Sequence, residues 1–153
     1  MNIDSIKNGY VIDHIQAGKS LEIYKYLNLG ELDTQVAIIK NARSKKSGKK
    51  DIIKIDEHTD INLDILGYID PNITVNKIID GKIVEKYHPK LPKELINIIK
   101  CKNPRCITSV EKDLIHICEL TDEKKGIYRC KYCEEQVNWK KWKKERRIRW
   151  KHY

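Results

Sequence analysis

Four of the five cysteines in this 153-residue chain lie in two close pairs near its C-terminal end. Cys101 and Cys106 are in the segment CKNPRC, and Cys130 and Cys133 are in the segment CKYC. Two thiolates on one tight turn can hold a metal from one side while a second turn closes the other, which is the layout of a tetrahedral zinc site. Because four sulfur ligands leave no open position, the spacing predicts one structural zinc ion. Buried or disulfide-bonded thiols are the alternative.

The residues between the two cysteine pairs predict a small β domain around the metal. Segments 113–120 and 126–130 show the alternation of short strands. His116 and Cys118 lie two positions apart in the first segment and could replace a ligand. A buried, apolar role is the simpler interpretation of Cys118.

A second group of polar residues lies within or beside predicted strands, where apolar residues are expected. The group consists of Asp13, His14, Lys50, Lys54, Asn76 and Lys86. If the strands form one sheet, these side chains could converge, and three lysines with a histidine would bind a polyanion such as a nucleotide triphosphate. Solvated lysines and a structural histidine are the alternative. The chain has neither a P-loop motif nor GxGxxG, so nucleotide hydrolysis is not implied.

The elements that would position this polar group follow the order β-α-β-β-α-β-β. The predicted strands cover 10–16, 32–41, 51–57, 73–80 and 82–88, and the predicted helices cover 21–30 and 60–69. Asp80-Gly81 is a strong turn signal between the last two strands. The order predicts an α+β domain of the ferredoxin-like kind, an antiparallel sheet with both helices on one face.

Prolines mark a domain boundary after this first domain. His88-Pro89 and Leu91-Pro92 predict domains of residues 1–91 and 92–153. Residues 93–100 predict a short helix or turn, because Pro92 suits a first helical position.

The net charge of +9 is concentrated at the C-terminal end. Residues 137–153 carry eight Lys/Arg and one Glu, or +7, which leaves +2 for the rest of the chain. Three tryptophans lie among these cations, so the segment predicts either nucleic-acid or acidic-partner binding, or a helix whose tryptophans cover the zinc module. No apolar run approaches the length of a membrane-spanning helix, which is about 18 residues. No signal-peptide pattern is present either, so we expect a cytoplasmic protein and no membrane contact.

Four segments of the chain resemble the regulatory chain of aspartate carbamoyltransferase. They are residues 6–15 (IKNGYVIDHI), 48–55 (GKKDIIKI), 71–78 (PNITVNKI) and the two cysteine pairs. Residues 91–101 (LPKELINIIKC) also fit the junction between that family's domains, and the resemblance runs in order over residues 4–136.

The resemblance implies a non-catalytic regulatory subunit with a nucleotide-effector domain and a zinc domain. In this family, regulatory chains pair into homodimers and bridge two catalytic trimers in a 6+6 dodecamer. CTP, often with UTP, inhibits the enzyme and ATP activates it. The resemblance places the base against the backbone of Ile6, Val11, Ile78 and Ile83, the phosphates near Lys50, Lys86 and His14, and the ribose near Asp13 and Lys54, with Asn76 completing the site.

The rival interpretation is a zinc-ribbon nucleic-acid-binding protein that uses residues 137–153. It predicts binding to DNA or RNA that weakens steeply with salt. A nucleotide-hydrolysing enzyme is a third interpretation, which the missing motifs disfavour.

Overall fold

The computed structural model describes residues 5–46, 48–59 and 61–138. The chain divides between Lys90 and Leu91 into an N-terminal unit and a C-terminal unit. In the part of the chain that is described, none of the helices has the length and apolar character to span a membrane.

The N-terminal unit is built on a five-stranded antiparallel sheet with strand order β2-β3-β1-β4-β5. The strands are β1 (Gly9–Gln16), β2 (Val36–Ser44), β3 (Gly48–Ile55), β4 (Thr74–Ile79) and β5 (Lys82–Tyr87). Helix α1 (Ser20–Tyr26) connects β1 to β2, and α2 (Ile65–Ile69) connects β3 to β4. This confirms the predicted α+β fold, with β5 added at the edge of the sheet.

One face of this sheet forms an aliphatic core with the two helices. Ile12, Ile53 and Val75 pair across the three central strands, and none of them is exposed to solvent. Ile23 of α1 and Leu66 of α2 are equally buried. Burying each such side chain stabilises the fold by about 1.5–3 kcal/mol. We call this the helix-covered face; the residues that alternate with these along the strands lie on the opposite, open face.

Strand β1 begins at a close approach to β3. Gly9 has φ 154°, and a Cβ at this position would overlap the carbonyl oxygen of Ile55. Glycine is required here because it has no Cβ and adopts this backbone conformation without strain.

Both neighbours of β3 carry a β-bulge at the same level of the sheet. Strand β1 has one extra residue at Asp13–His14, and β2 has one at Lys40–Asn41. His14 and Asn41 each have φ 58°, the left-handed conformation that bulges often contain. The β1 bulge explains why a polar pair interrupts the apolar pattern of the first strand.

Several element boundaries differ from the predicted ones. The predicted strands end at residue 41 and begin again at residue 51, but residues 42–44 and 48–50 extend β2 and β3 as a hairpin. Helix α1 ends before Asn28, which has φ 52°, and a 3₁₀ turn at Leu29–Glu31 follows instead of a continuous helix to Gly30.

The C-terminal unit contains a four-stranded antiparallel sheet with strand order β6-β7-β8-β9. The strands are β6 (Glu94–Ile96), β7 (Ile117–Asp122), β8 (Ile127–Cys130) and β9 (Gln136–Asn138), and a short helix α3 (Ile107–Val110) lies between β6 and β7. The buried Tyr128 donates a hydrogen bond to the carbonyl of Pro92 at 2.6 Å.

The predicted helix or turn at residues 93–100 is wrong over Glu94–Ile96. This segment pairs with β7 as a strand, with Leu95 opposite Cys118. Leu95 is only 2% exposed. The burial of Leu95 and the pairing with β7 outweigh the helix-starting preference of Pro92, because tertiary packing overrides local propensity.

Candidate metal centre and polar sheet face

The four paired cysteines converge in one cluster, with all four sulfur atoms within 4.8 Å of one another. The Sγ atoms of Cys101 and Cys133 are 3.5 Å apart, and those of Cys106 and Cys130 are 3.7 Å apart. Sulfur atoms bound to zinc at about 2.3 Å in a tetrahedron lie about 3.8 Å apart, so the cluster fits a metal of this kind. None of the five cysteines forms a disulfide.

Tight turns at both pairs bring the sulfur atoms together. Cys106 donates its backbone N–H to the carbonyl of Asn103, and it immediately precedes α3. Cys130 ends β8, and its carbonyl accepts the N–H of Glu134 at 2.9 Å. Glu134 has φ 62°, which reverses the chain after the second pair.

The surroundings of the buried Cys106 thiol favour loss of its proton. The Thr108 hydroxyl lies 3.1 Å from its sulfur, and this hydrogen bond lowers the pKa of Cys106 to about 7. Burial instead raises the pKa of the Cys101 and Cys130 thiols. A bound cation would remove this cost by stabilising the thiolates, since metal binding and thiol deprotonation are coupled.

Cys118 and His116 do not belong to the cluster. Cys118 is opposite Cys130 in the β7–β8 ladder, and it is buried. Burial raises the pKa of the Cys118 thiol to about 11, so it remains a protonated, apolar side chain. The backbone of His116 is held by reciprocal hydrogen bonds with Asn97.

The open face of the N-terminal sheet carries a row of residues from four neighbouring strands. Lys54 of β3 pairs with Val11 of β1, Val11 pairs with Asn76 of β4, and Asn76 pairs with Lys86 of β5. Directly paired residues project from the same face of a sheet. The register therefore aligns four of the residues that the sequence singled out. Three of them are polar, and we call the set of four the polar row.

Asn76 is the most buried polar member of this row, at 8% exposure. Its Oδ1 atom is buried and has no hydrogen-bond partner among the residues that the structure describes, and the same holds for Nδ1 of His14. An unsatisfied buried polar group costs about 1–3 kcal/mol. A ligand that donates a hydrogen bond to Asn76 would remove this cost.

Asp13 and Lys50 form an ion pair beside the row. The Lys50 ammonium is 2.9 Å from Asp13 Oδ1 and 3.1 Å from Oδ2, and both side chains are partly buried. Burial raises the pKa of the Asp13 carboxyl, but the hydrogen bonds from Lys50 and the His14 backbone N–H outweigh it and hold that pKa below its usual value. Lys50 and Lys54 alternate with buried residues along β3, so both lie on the open face.

Of the apolar residues assigned to base binding, Val11 belongs to the row, and Ile78 and Ile83 pair with each other two residues further along β4. Ile78 pairs with Gly9 on one side and with Ile83 on the other. Ile6 and Ile78 are buried, whereas Ile83 is 60% exposed. The open face thus carries Lys50, Lys54, Asn76 and Lys86, and Ile78 and Ile83 lie near the β4–β5 turn. His14 lies in the β1 bulge.

One important residue, Asp51, was not anticipated from the sequence. It is completely buried on the helix-covered face of β3. Burial raises the pKa of its carboxyl, but hydrogen bonds from Ser20, Asn41 and Gly18 more than compensate and lower that pKa. The signal in the sequence was a carboxylate at an apolar position of a strand.

Two family models match the chain, one for each unit. The model described as "Aspartate carbamoyltransferase regulatory chain, allosteric domain" matches residues 1–90. The model for the metal binding domain of the same regulatory chain matches residues 93–143, and so includes the first part of the basic segment 137–153.

Curated relatives match most of the chain. The chain is 57% identical to an aspartate carbamoyltransferase regulatory chain of Clostridium acetobutylicum over 135 residues, which are 88% of this chain and 92% of the relative. It is 56% identical to one from Clostridium botulinum over the same shares, and 44% identical to one from Bifidobacterium longum over 90% of this chain and 99% of the relative.

An allosteric domain followed by a metal-binding domain defines a regulatory subunit rather than an enzyme, and the homologues are named as regulatory chains, the non-catalytic subunit. This chain belongs to the aspartate carbamoyltransferase regulatory chain family. The resemblance drawn from the sequence is confirmed.

Proposed function

We propose that this chain binds the nucleotides CTP and ATP, with UTP as a further effector, on the open face of its N-terminal sheet. The polar row supports this proposal, because Lys54 lies on one side of the buried, unsatisfied Asn76 and Lys86 lies on the other. Lysines surrounding a hydrogen-bonding amide suit a ligand that has both phosphates and hydroxyl groups.

The proposed contacts divide the nucleotide into three parts. Lys50, Lys86 and His14 contact the phosphates, and Asp13 and Lys54 contact the ribose. The base lies toward Ile6, Val11, Ile78 and Ile83, where backbone groups distinguish one base from another. The Asp13–Lys50 ion pair supports this division, because it holds a residue assigned to the ribose beside a residue assigned to the phosphates.

The proposed function is allosteric: the chain transmits nucleotide binding to catalytic chains of aspartate carbamoyltransferase. An effector shifts an equilibrium only through its different affinities for two states. CTP and ATP compete for one site and stabilise different states of the regulatory chain, so one inhibits and the other activates.

Lys86→Ala tests the nucleotide site, with Lys82→Ala as its control in the same strand. Lys86 belongs to the polar row, whereas Lys82 is exposed and pairs with Ile79 at the turn. We expect Lys86→Ala to weaken CTP and ATP binding in calorimetry by about 10-fold to 150-fold, the cost of a hydrogen bond to a charged group. Lys82→Ala should change it little. Equal affinities for wild type and Lys86→Ala would contradict the proposal.

We infer that the metal is a single structural zinc ion. Four sulfur ligands at tetrahedral spacing support zinc, which completes its coordination without a catalytic water. Elemental analysis of the purified chain should find one zinc per chain. Cys130→Ala should lose it, and Cys118→Ala, which removes the neighbouring thiol, should retain it. A stoichiometric iron content would instead indicate an iron–sulfur centre.

The proposed partners are catalytic chains, which the C-terminal unit binds, and a second regulatory chain, within a cytoplasmic 6+6 dodecamer. Residues 1–91 would form the effector domain and residues 92–153 the zinc domain. Exposed apolar side chains on the C-terminal unit support docking: Ile96, Ile107, Val110, Ile115 and Tyr132. Val110→Asp should reduce co-purification with catalytic chains, whereas Lys124→Asp in the β7–β8 turn should not.

The nucleic-acid alternative depends on residues 137–153, and those from 139 onward lie outside the described residues. Deleting residues 139–153 should leave catalytic-chain binding intact under our proposal. Salt-dependent DNA or RNA binding that disappears with this deletion would favour the alternative.

A further inference from the structure

Asp51 is a buried carboxylate that none of the proposed nucleotide contacts uses. It lies between Lys50 and Ile52 in β3 but on the opposite face of the strand. Its side chain is fully buried, and isolated charges are costly in such a place unless several hydrogen bonds satisfy them. The hydrogen bonds of the Asp51 carboxylate therefore indicate its role.

The two carboxylate oxygens hold two different segments. Oδ2 accepts the backbone N–H groups of Gly18 and Ser20, at 3.0 and 3.2 Å, where β1 leads into α1. Oδ1 accepts the N–H of Asn41 at 2.9 Å, in the bulge of β2. The bulge displaces this N–H from the ladder, and Asp51 supplies the acceptor that the neighbouring strand does not.

These contacts lie next to the residues proposed to bind the phosphates. Ile15, the residue that pairs with Asp51, directly follows the Asp13–His14 bulge. Lys50, which precedes Asp51, holds the Asp13 carboxylate. Asp51 thus holds the segment that follows His14 and the β2 bulge next to Ala42, the residue that pairs with Lys50.

We propose that Asp51 is a positioning residue for phosphate recognition: it holds the β1–α1 turn and the β2 bulge so that Lys50, Asp13 and His14 stand together. The inference rests on the proposed nucleotide site. A carboxylate is needed because both of its oxygens accept hydrogen bonds, whereas an amide of the same shape presents N–H₂ at one of the two positions.

Asp51→Asn tests this role through the difference between ATP and adenosine. Competition binding should show a loss of ATP affinity of roughly tenfold, within the range for residues in direct contact, while adenosine affinity is unchanged. Ile53→Val, a buried change on the same face of β3, controls for general destabilisation and should weaken both ligands equally or neither.

A double-mutant cycle with Lys50→Ala distinguishes positioning from a purely structural role. If Asp51 acts through Lys50, Asp51→Asn should cost little further ATP affinity once Lys50 is alanine. Additive losses, or equal losses for ATP and adenosine, would overturn the inference.

A second variant keeps the test decisive if Asp51→Asn fails to fold. Asp51→Glu retains the charge and both oxygens but moves them, and it should also reduce ATP affinity selectively. Unchanged ATP affinity in a folded Asp51→Asn or Asp51→Glu protein contradicts the inference alone. A wild-type chain that binds neither ATP nor CTP contradicts the proposed function instead.

Discussion

The metal centre and the polar row are assembled in opposite ways. The four cysteines come from two tight turns of the C-terminal unit, and each pair is close in sequence. The polar row instead takes one residue from each of four strands, from Val11 to Lys86, and exists only if every strand has the right register. A local site can be recognised from spacing, whereas a site across a sheet needs the topology.

Removal of the metal should have the largest effect, and it should affect only one of the two sites. Structural zinc contributes about 10–16 kcal/mol in small peptides, comparable to the whole stability of an ordinary domain. A strong chelator should therefore unfold the C-terminal unit and release catalytic chains, while nucleotide binding by the N-terminal unit persists in calorimetry. A parallel loss of nucleotide binding would show that the two sites do not fold independently. An intact complex after complete metal removal would show that catalytic-chain binding does not need the metal.

Gly9→Ala should produce the reciprocal result. The added Cβ overlaps the carbonyl oxygen of Ile55, so we expect the N-terminal unit to lose about 3–5 kcal/mol and nucleotide binding to weaken, with metal content unchanged. Gly18→Ala is the matched control, because Gly18 also has a positive φ, 93°, but open space around its Cβ position. Denaturant unfolding of both variants separates the effect of the overlap between Cβ and the Ile55 carbonyl oxygen from the effect of backbone strain. Equal losses of stability in the two variants would show that this overlap is not the cause.

Acid should weaken the N-terminal unit through Asp51. Its folded pKa is lowered, so its contribution to stability is present above the unfolded pKa of about 3.9 and is lost as pH falls toward the folded value. At pH 7 we expect Asp51→Asn to cost about 1–3 kcal/mol, because backbone N–H groups lose their acceptor. Thermal melts should show this difference shrinking below pH 4. A stability difference between wild type and Asp51→Asn that stays constant as pH falls would contradict this pH dependence.

The sequence predicted the four cysteines as metal ligands because residue type and spacing alone indicate a metal site. It also located the polar row's residues, since Lys54, Asn76 and Lys86 interrupt strand patterns. It did not reveal that the Asp13–His14 interruption is a bulge, because an extra residue is defined only relative to the neighbouring strand.

Other features depended on tertiary contacts that no local pattern contains. Pro92 favours a helix or turn over residues 93–100, yet pairing with β7 makes residues 94–96 a strand. Strand β9 and helix α3 are too short for a periodic signal. Asp51 looks like a misplaced charge until the N–H groups of Gly18, Ser20 and Asn41 are seen around it.

The strand order of the N-terminal unit also has a kinetic consequence. The β4–β5 hairpin closes a short loop, but the β1–β4 ladder joins Gly9 to Ile78 and must overcome a larger loss of chain entropy. A ligand that spans the polar row touches strands from both pairings, so it binds only after the slow, non-local one is complete. We therefore expect such a ligand to slow unfolding and to leave the folding rate unchanged.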